Sequence, residues 1–311
     1  MKITVVVPSW NGRALLPALL ESLQRQTLPA AEVLVVDDGS RDESVRWLHQ
    51  RRPALRPIVL DRNRGFANAA NVGIGAAQTE LVALLNSDAE PEPEWLAALA
   101  AAAGAAPESV ASWACAVLPL GGGGRLESGG VRLLSSGFGA PHLAGADAAD
   151  HVLEQEVFGA SGGAMLLKRS AFIAAGEFDV RFFGGFEDVD LACRLRLRDR
   201  RCLLVPGARV RHRGGASFGR RRGLRQRCEF RNAVCIAVKN FPPPLLRRCR
   251  GAVIAAHLRA LVYLVLRGHP LAAAGGELDL WRWWGALRRD RSLIQRLAVD
   301  ASALDRWIEP A

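Results

Sequence analysis

Residues 3–12 read ITVVVPSWNG. The β-branched run Ile3–Val7 is a buried strand by composition, and Asn11-Gly12 breaks it. Leucines at helical spacing follow over Ala14–Gln26. The same alternation then repeats. Glu32–Val36 reads as a second strand ending in acids, and Asp42–Arg51 as a helix with Asp42 near its N-cap. Arg56–Leu60 reads as a third strand, Phe66–Ala77 as a small-residue helix and Leu81–Leu85 as a fourth strand. Pro91 and Pro93 introduce a helix over Pro93–Ala103. Continuous apolar strands alternating with helices specify an α/β fold, a mainly parallel sheet covered by helices on both faces. Ligands of such sheets bind at the carboxyl ends of the strands. Every polar cluster in this half stands there: Pro8–Gly12, Asp37–Ser40, Asn63–Asn71 and Asn86–Asp88.

The second half is less regular. Residues 110–120 read as a further strand and Gly121–Gly124 as a turn or loop, and the Gly/Ser/Ala-rich stretch to about residue 150 resists placement. Gly159–Arg169 is a glycine-rich turn entering an apolar strand. Asp188–Arg198 is an amphipathic helix, and Cys202–Val205 and Ala208–Val210 are short strands. Gly214–Arg227 reads as an arginine-rich loop, and the chain beyond it as helical to the end.

The chain has 311 residues, 50% of them hydrophobic, with eight Trp, so a sizeable core is within reach. Charged residues make up 23%, which excludes wholesale disorder. The net charge of +10 is carried almost entirely by Arg, crowded into the C-terminal half. Six cysteines without a CxxC pair suit free thiols in a reducing cytoplasm. The strand begins at residue 3, so no signal peptide is expected. No stretch reaches the roughly 18 uncharged residues expected of a spanning helix.

Four constellations carry chemistry. Asp37-Asp38-Gly39-Ser40 puts carboxylates at a strand end, suited to holding the donors of a base or ribose, and equally an ordinary acidic turn. Asn86-Ser87-Asp88 suits a hard cation that also holds a diphosphate, or an Asx-type cap. Phe182–Asp190 (FFGGFEDVD) sets three carboxylates behind aromatic rings, where proton affinity rises as a general base requires; acids at a helix N-terminus have a second reason to be there. Arg211-His212-Arg213 ends a strand beside a glycine pair, so the imidazole is a candidate third ligand type and the basic loop a candidate diphosphate clamp.

The order and spacing of these elements is more specific than any one of them. VVVPSWNG, VVDDGSRDES, NRGFANAAN, LLNSDAEPEPEWL, GASGGAMLLKR, FDVRFFGGFEDVDLACRLR and VRHRGGAS, in that order, closely resemble glycosyltransferase family 2. The nearest subgroup is the rhamnosyltransferase-type enzymes of bacterial polysaccharide and cell-wall assembly. The resemblance covers about residues 3 to 240. It implies a GT-A fold, Rossmann-like, over residues 1–240, with a nucleotide-sugar half (1–110) and an acceptor half (111–240). A helical extension would occupy 241–311. It implies donor contacts from Pro8, Ser9, Asn11, Asp38, Arg64, Asn71 and Asn86, a Mg²⁺ or Mn²⁺ ion on Asp88 and His212, and a catalytic base in Asp188. Glu187 and Gly162 would hold the acceptor. Asn86 stands where the family's metal motif has its first acid, which leaves Asp88 as the main carboxylate ligand. The implied reaction is inverting transfer from a nucleoside-diphosphate sugar (dTDP-rhamnose or a UDP-sugar) to a hydroxyl of a saccharide or lipid-linked acceptor. Its expected place is the cytoplasm, peripheral to the membrane's inner face.

The apolar stretch Ala252–Leu266, rimmed by Arg, and the Trp281–Trp284 cluster suit an interfacial helix, or else a helical cap or a dimer interface. Three other functions compete. A sugar nucleotidyltransferase normally shows a glycine-rich loop with a basic residue after the first strand, and Pro8–Gly12 lacks it. A nucleic-acid binder would interleave aromatics with its basic loop, where Gly214–Arg227 has only Phe218, so no nucleic acid is expected as a partner. An inactive homologue would have lost some of the acids, and all are present.

Overall fold

The structure is a computed structural model that describes residues 1–52, 55, 57–214 and 222–311. The elements of the first half are β1 (Ile3–Ser9), α1 (Leu16–Gln24), β2 (Glu32–Asp37), α2 (Ser44–Arg51), β3 (Ile58–Val59), α3 (Phe66–Ala76), β4 (Leu81–Leu85), β5 (Ala89–Pro91) and α4 (Trp95–Ala105). The second half adds β6 (Val110–Pro119), β7 (Val131–Leu134), β8 (Gly139–Pro141), β9 (Gln155–Val157), β10 (Ala164–Lys168), α5 (Arg169–Ala174), α6 (Glu187–Leu197) and β11 (Arg201–His212). Three long helices, α7 (Arg222–Asn240), α8 (Pro243–Leu266) and α9 (Pro270–Arg296), precede a final short strand, β12 (Ile308–Glu309).

The main sheet runs β3-β2-β1-β4-β10-β6-β11-β5, with β9 pairing β11 off that path. β3, β2, β1 and β4 are parallel, as are β6 and β11; β10 runs antiparallel between β4 and β6. Alternate residues of β1 face opposite sides of the sheet, as a strand's period of two requires. Val5 and Val7 pack with Leu16, Leu19 and Trp95, whereas Val6 packs with Ala67, Ala70 and Ile74 of α3. α3 lies unusually close to the sheet: a Cβ on Gly73 would sit 2.3 Å from Val6 Cγ1. That approach explains why this helix is built of small residues.

A third core joins α6 to the C-terminal helices through Phe182, Val189, Ile236, Phe241, Leu280 and Leu287. The chain is not helical to its end. Ile308 and Glu309 pair in parallel with Leu133 and Leu134 of a second sheet, β12-β7-β8. That sheet occupies part of the stretch the sequence left unplaced. Two further expectations change. Cys202–Val205 and Ala208–Val210 belong to one strand, β11, with an irregularity between Val205 and Arg209 where its pairing with β6 shifts register. Arg225 and Arg227 lie in α7 rather than in a loop, because Glu229 and Asp279 give their side chains fixed partners. Residues 215–221 of the expected basic loop, with Arg220 and Arg221, lie outside the described residues, as does Arg56. All six cysteines are buried and unpaired.

Candidate active site

The carboxyl ends of β1, β2 and β4 open onto a cavity of about 430 Å³, whose far wall is the turn and first residues of α6. Pro8, Ser9, Asp38 and Asn86 line the near side; Glu187, Asp188 and His212 line the far side and one end. The two sides come from residues some hundred positions apart, brought together by the insertion of β10 between β4 and β6.

The near wall is held by backbone donors. Asp38 is buried, and its two carboxylate oxygens accept from the N–H groups of Arg64 and Gly65, both at 2.8 Å. Burial raises its pKa against the pull of those donors. Asp38 therefore fixes the third loop as well as facing the cavity. Ser9 Oγ is buried on this wall without a hydrogen-bond partner among the described residues. Asn63, Gly65, Phe66 and Trp10 complete the surface. None of these four was among the residues expected to bind donor.

Three expected donor residues stand elsewhere. Asn71 is a structural residue: its amide donates to the Phe178 carbonyl at 2.8 Å and accepts from the Phe178 N–H at 3.1 Å. The Arg64 guanidinium turns away onto Asp61, so this residue contributes its N–H rather than its charge. Asn11 is exposed, with φ +51°, and spends its side chain on the Arg41 N–H at 2.9 Å.

At one end of the cavity, antiparallel pairing of β5 with β11 sets His212 opposite Ala89 and hence beside Asp88. His212 Nε2 lies 3.3 Å from Asp88 Oδ1, and Nδ1 lies 2.9 Å from Glu127 Oε1. Burial opposes the positive charge of this imidazole, but Asp88 and Glu127 outweigh it and push its pKa up to about 10. Asp88 is almost fully buried, yet neither carboxylate oxygen has a hydrogen-bond partner among the described residues. Its Oδ1 meets only the His212 imidazole, and its Oδ2 meets no polar group among the described residues, which leaves that oxygen able to take a cation. Among the described residues no three His, Cys, Asp or Glu side chains are placed to hold a metal ion together. The donor set is therefore the Asp88 carboxylate and the His212 imidazole, whose Nε2 would have to give up its proton to bind a metal. Such a pair fits a hard divalent ion that keeps its other positions for phosphate and water.

On the far wall, the turn before α6 carries two left-handed non-glycine residues, Phe183 (φ +63°) and Phe186 (φ +68°). Such conformations persist where their surroundings impose them. Here α7 imposes them. Asn232, fully buried, donates through Nδ2 to the carbonyls of Gly185 at 2.7 Å and Phe182 at 3.1 Å, and Arg231 donates to Arg181 and Phe182. Neither role is visible along the chain, since both donors lie 47 to 50 residues from their acceptors.

The turn delivers Glu187 and Asp188 into the cavity. Asp188 accepts from the Gly162 N–H at 2.9 Å and the Val189 N–H at 2.8 Å. Burial raises its pKa despite those donors. Glu187 is pushed up to about 8 by burial and then by the neighbouring Asp188, and its Oε2 has no partner among the described residues. Gly162 itself stands behind these acids, 3.3 Å from Glu187 Oε1 at the position a Cβ would take. Asp190, the third acid of the run, faces away from the cavity into a buried cluster with Lys239, Arg194 and Asn240. Burial raises its pKa, but Lys239 and Arg194 more than compensate and hold it low.

Known proteins share both the sequence and the fold. The model of the family described as Glycosyl transferase family 2 matches residues 4–175, more than half of the chain. The succinoglycan biosynthesis protein ExoO of Rhizobium meliloti is 37% identical over 110 residues, 35% of this chain and 32% of that protein. An undecaprenyl-phosphate 4-deoxy-4-formamido-L-arabinose transferase of Serratia proteamaculans is 34% identical over 100 residues, 30% of this chain and 31% of its own length. The chain thus spans about a third of the length of these curated relatives. Among solved structures, GalNAc-T7 with UDP, GalNAc and Mn²⁺ superimposes with a TM-score of 0.63 at 14% identity, covering 99% of this chain and 58% of that one. Pyrobaculum calidifontis mannosyltransferase PcManGT with GDP-Man and Mn²⁺ gives 0.55 at 20% identity, over 96% and 86% of the two chains. At such identities the likeness establishes the fold, and that fold is GT-A.

Proposed function

The chain belongs to glycosyl transferase family 2, and on that footing we propose that it moves a sugar from a nucleoside-diphosphate sugar to a hydroxyl of a saccharide or lipid-linked acceptor, with inversion. The observation that carries this reading is a cavity walled by the strand ends Pro8–Ser9, Asp38 and Asn86 and faced by two buried carboxylates of raised pKa, with Asp88 buried behind its lining residue His212.

Each residue has a task in this reading. The β1, β2 and β4 ends (the 1–110 half) hold the nucleotide, with Asp38 toward base or ribose. Asp88 and His212 would hold Mg²⁺ or Mn²⁺, which would supply positive charge against the leaving diphosphate. Arg225 lines the cavity from α7 and adds a cation on the acceptor side. Asp188, held by Gly162 and Val189, accepts the proton of the acceptor hydroxyl as that oxygen attacks the anomeric carbon. Glu187, uncharged over much of the neutral range, offers a hydrogen-bond donor to an acceptor oxygen. With one base and no positioned nucleophile, the displacement is single and inverts the anomeric centre. The ligands named for the two solved structures, UDP with GalNAc and GDP-Man, support a nucleoside-diphosphate sugar. The undecaprenyl-phosphate named for sequence relatives supports a lipid-linked acceptor met at the inner face of the membrane.

The test is direct. The purified chain with Mn²⁺ is offered dTDP-, UDP- and GDP-sugars together with undecaprenyl-linked and free saccharides, and products are identified by mass spectrometry and anomeric NMR. Appearance of one glycoside of inverted configuration is the expected result. A retained configuration, or nucleotidyl transfer in place of glycosyl transfer, would overturn the reading.

A further inference from the structure

The C-terminal helices are capped on one side only. α8 faces the protein through Leu245, Cys249 and Leu264, and its His257 turns inward onto Glu277 of α9, with Nε2 2.8 Å from Oε1. The residue that interrupts the apolar run in the sequence is thereby taken up by the fold. The opposite face is uncovered. Ile254, Leu258, Val262 and Val265 follow one another at spacings of four, four and three, a single stripe along the helix. Each is more than half exposed. The stripe ends at the turn into α9, where Leu266 is 80% and Leu271 86% exposed, and Trp281 on α9 is 77% exposed.

The charge around this surface is one-sided. Residues 243–299 contain ten arginines and three acids. All three acids have partners: Glu277 with His257, Asp279 with Arg227 and Arg231, and Asp290 with Arg181. Arg247, Arg250, Arg259 and Arg282 are exposed and make no ion pair among the described residues. An uncovered leucine and tryptophan surface ringed by unpaired guanidinium groups matches the headgroup and upper acyl region of an anionic bilayer.

We propose that α8 and the start of α9 form a docking surface for an anionic lipid bilayer, lying in its interface. α8, at 24 residues, is long and apolar enough to cross a membrane by length and composition. Crossing would strip it from α7 and α9, where Leu264 shares a core with Phe230 and Ala273. An interfacial position keeps that core and buries only the stripe. A second copy of the chain is the poorer occupant, because a two-fold contact would set one arginine cluster against its twin. The surface stands apart from the cavity residues, so this inference does not depend on the reaction proposed above.

The experiment is flotation of the full chain with vesicles of equal parts phosphatidylglycerol and phosphatidylcholine, against vesicles of phosphatidylcholine alone. The chain is expected to float with the anionic vesicles, and each of Arg247→Ser and Arg250→Ser is expected to weaken binding roughly fivefold. The double substitution Leu258→Glu with Val262→Glu changes exposed positions only. It is expected to abolish flotation while leaving the thermal unfolding transition in place. Asp188→Asn is expected to float like the wild type, which separates this test from that of the reaction. Absence of flotation on anionic vesicles would overturn the proposal. So would a dimer that the Leu258 and Val262 substitutions dissociate, or equal binding to both vesicle types.

Discussion

The Gly162 N–H donates to Asp188 Oδ2 at 2.9 Å, joining the turn before β10 to the first turn of α6. The carboxylate is thus oriented by main chain, while burial raises its pKa above the usual aspartate value. Asp188→Asn keeps the size of the side chain and removes the base, at the cost of one of its two bonds from backbone N–H groups. Transfer should fall by about 10²- to 10⁴-fold with nucleotide affinity unchanged. The wild-type rate should rise from acid pH with an apparent pKa above the usual carboxylate range, as the base must be ionised to act. A rate profile flat through that region, or a fully active Asp188→Asn variant, would take the role from Asp188.

Glu187 makes a prediction about stability. Its folded pKa, raised to about 8 by burial and Asp188, exceeds that of a solvated glutamate. Between these two values the folded chain binds more protons than the unfolded one, so stability falls as pH rises. The contribution is fully present below the ordinary glutamate pKa and lost as pH passes through about 8. Urea unfolding of wild type and Glu187→Gln should diverge between about pH 5 and about pH 9, on the order of a few kcal/mol, with the wild type losing more. Parallel stability curves would show that Glu187 is not held uncharged in the fold.

Lys239 is buried between Asp179 and Asp190, with its Nζ 3.0 Å from Asp190 Oδ1. Lys239→Met should cost about 3–5 kcal/mol in urea unfolding, since it strands buried carboxylates. Adding Asp190→Asn should return part of that loss. If the single variant is neutral, the cluster does not tie α7 to α6.

Sequence reading reached the strands whose burial is continuous, because an uninterrupted run such as Val33–Val36 or Leu81–Leu85 has few other uses. It missed β5, β9 and β12, each of two or three residues, whose pairing depends on partners far along the chain, and the short hairpin of β7 and β8 in the Gly/Ser/Ala-rich stretch. The carboxylates of the cavity were legible from motif order. The role of Asn71 was not, because its two bonds go to Phe178, 107 residues away. Nor was that of Asn232, which looks from sequence like any polar residue of an arginine-rich helix. Glu127, which orients His212, sat in the one stretch that could not be placed.

Gly65 joins the two walls. It holds φ +92°, and a Cβ there would lie 2.3 Å from the Phe183 carbonyl oxygen. Gly65→Ala should therefore destabilise the chain by roughly 1–3 kcal/mol. It should also weaken nucleotide binding, because the Gly65 N–H would be displaced from Asp38. Unchanged stability, measured by urea unfolding, would mean that the third loop does not press on the Phe183 turn.

The buried carboxylate of Asp88 and the strand ends beside it are proposed as a metal-dependent nucleotide site. Calorimetric titration of the purified chain with dTDP, UDP and GDP, each with and without Mn²⁺, tests it most directly, with Asp88→Ala as the control. One nucleotide is expected to bind, only with the metal present, and the Asp88→Ala variant, still folded, is expected to lose that binding. Nucleotide binding of equal strength without metal, or undiminished in Asp88→Ala, would contradict it.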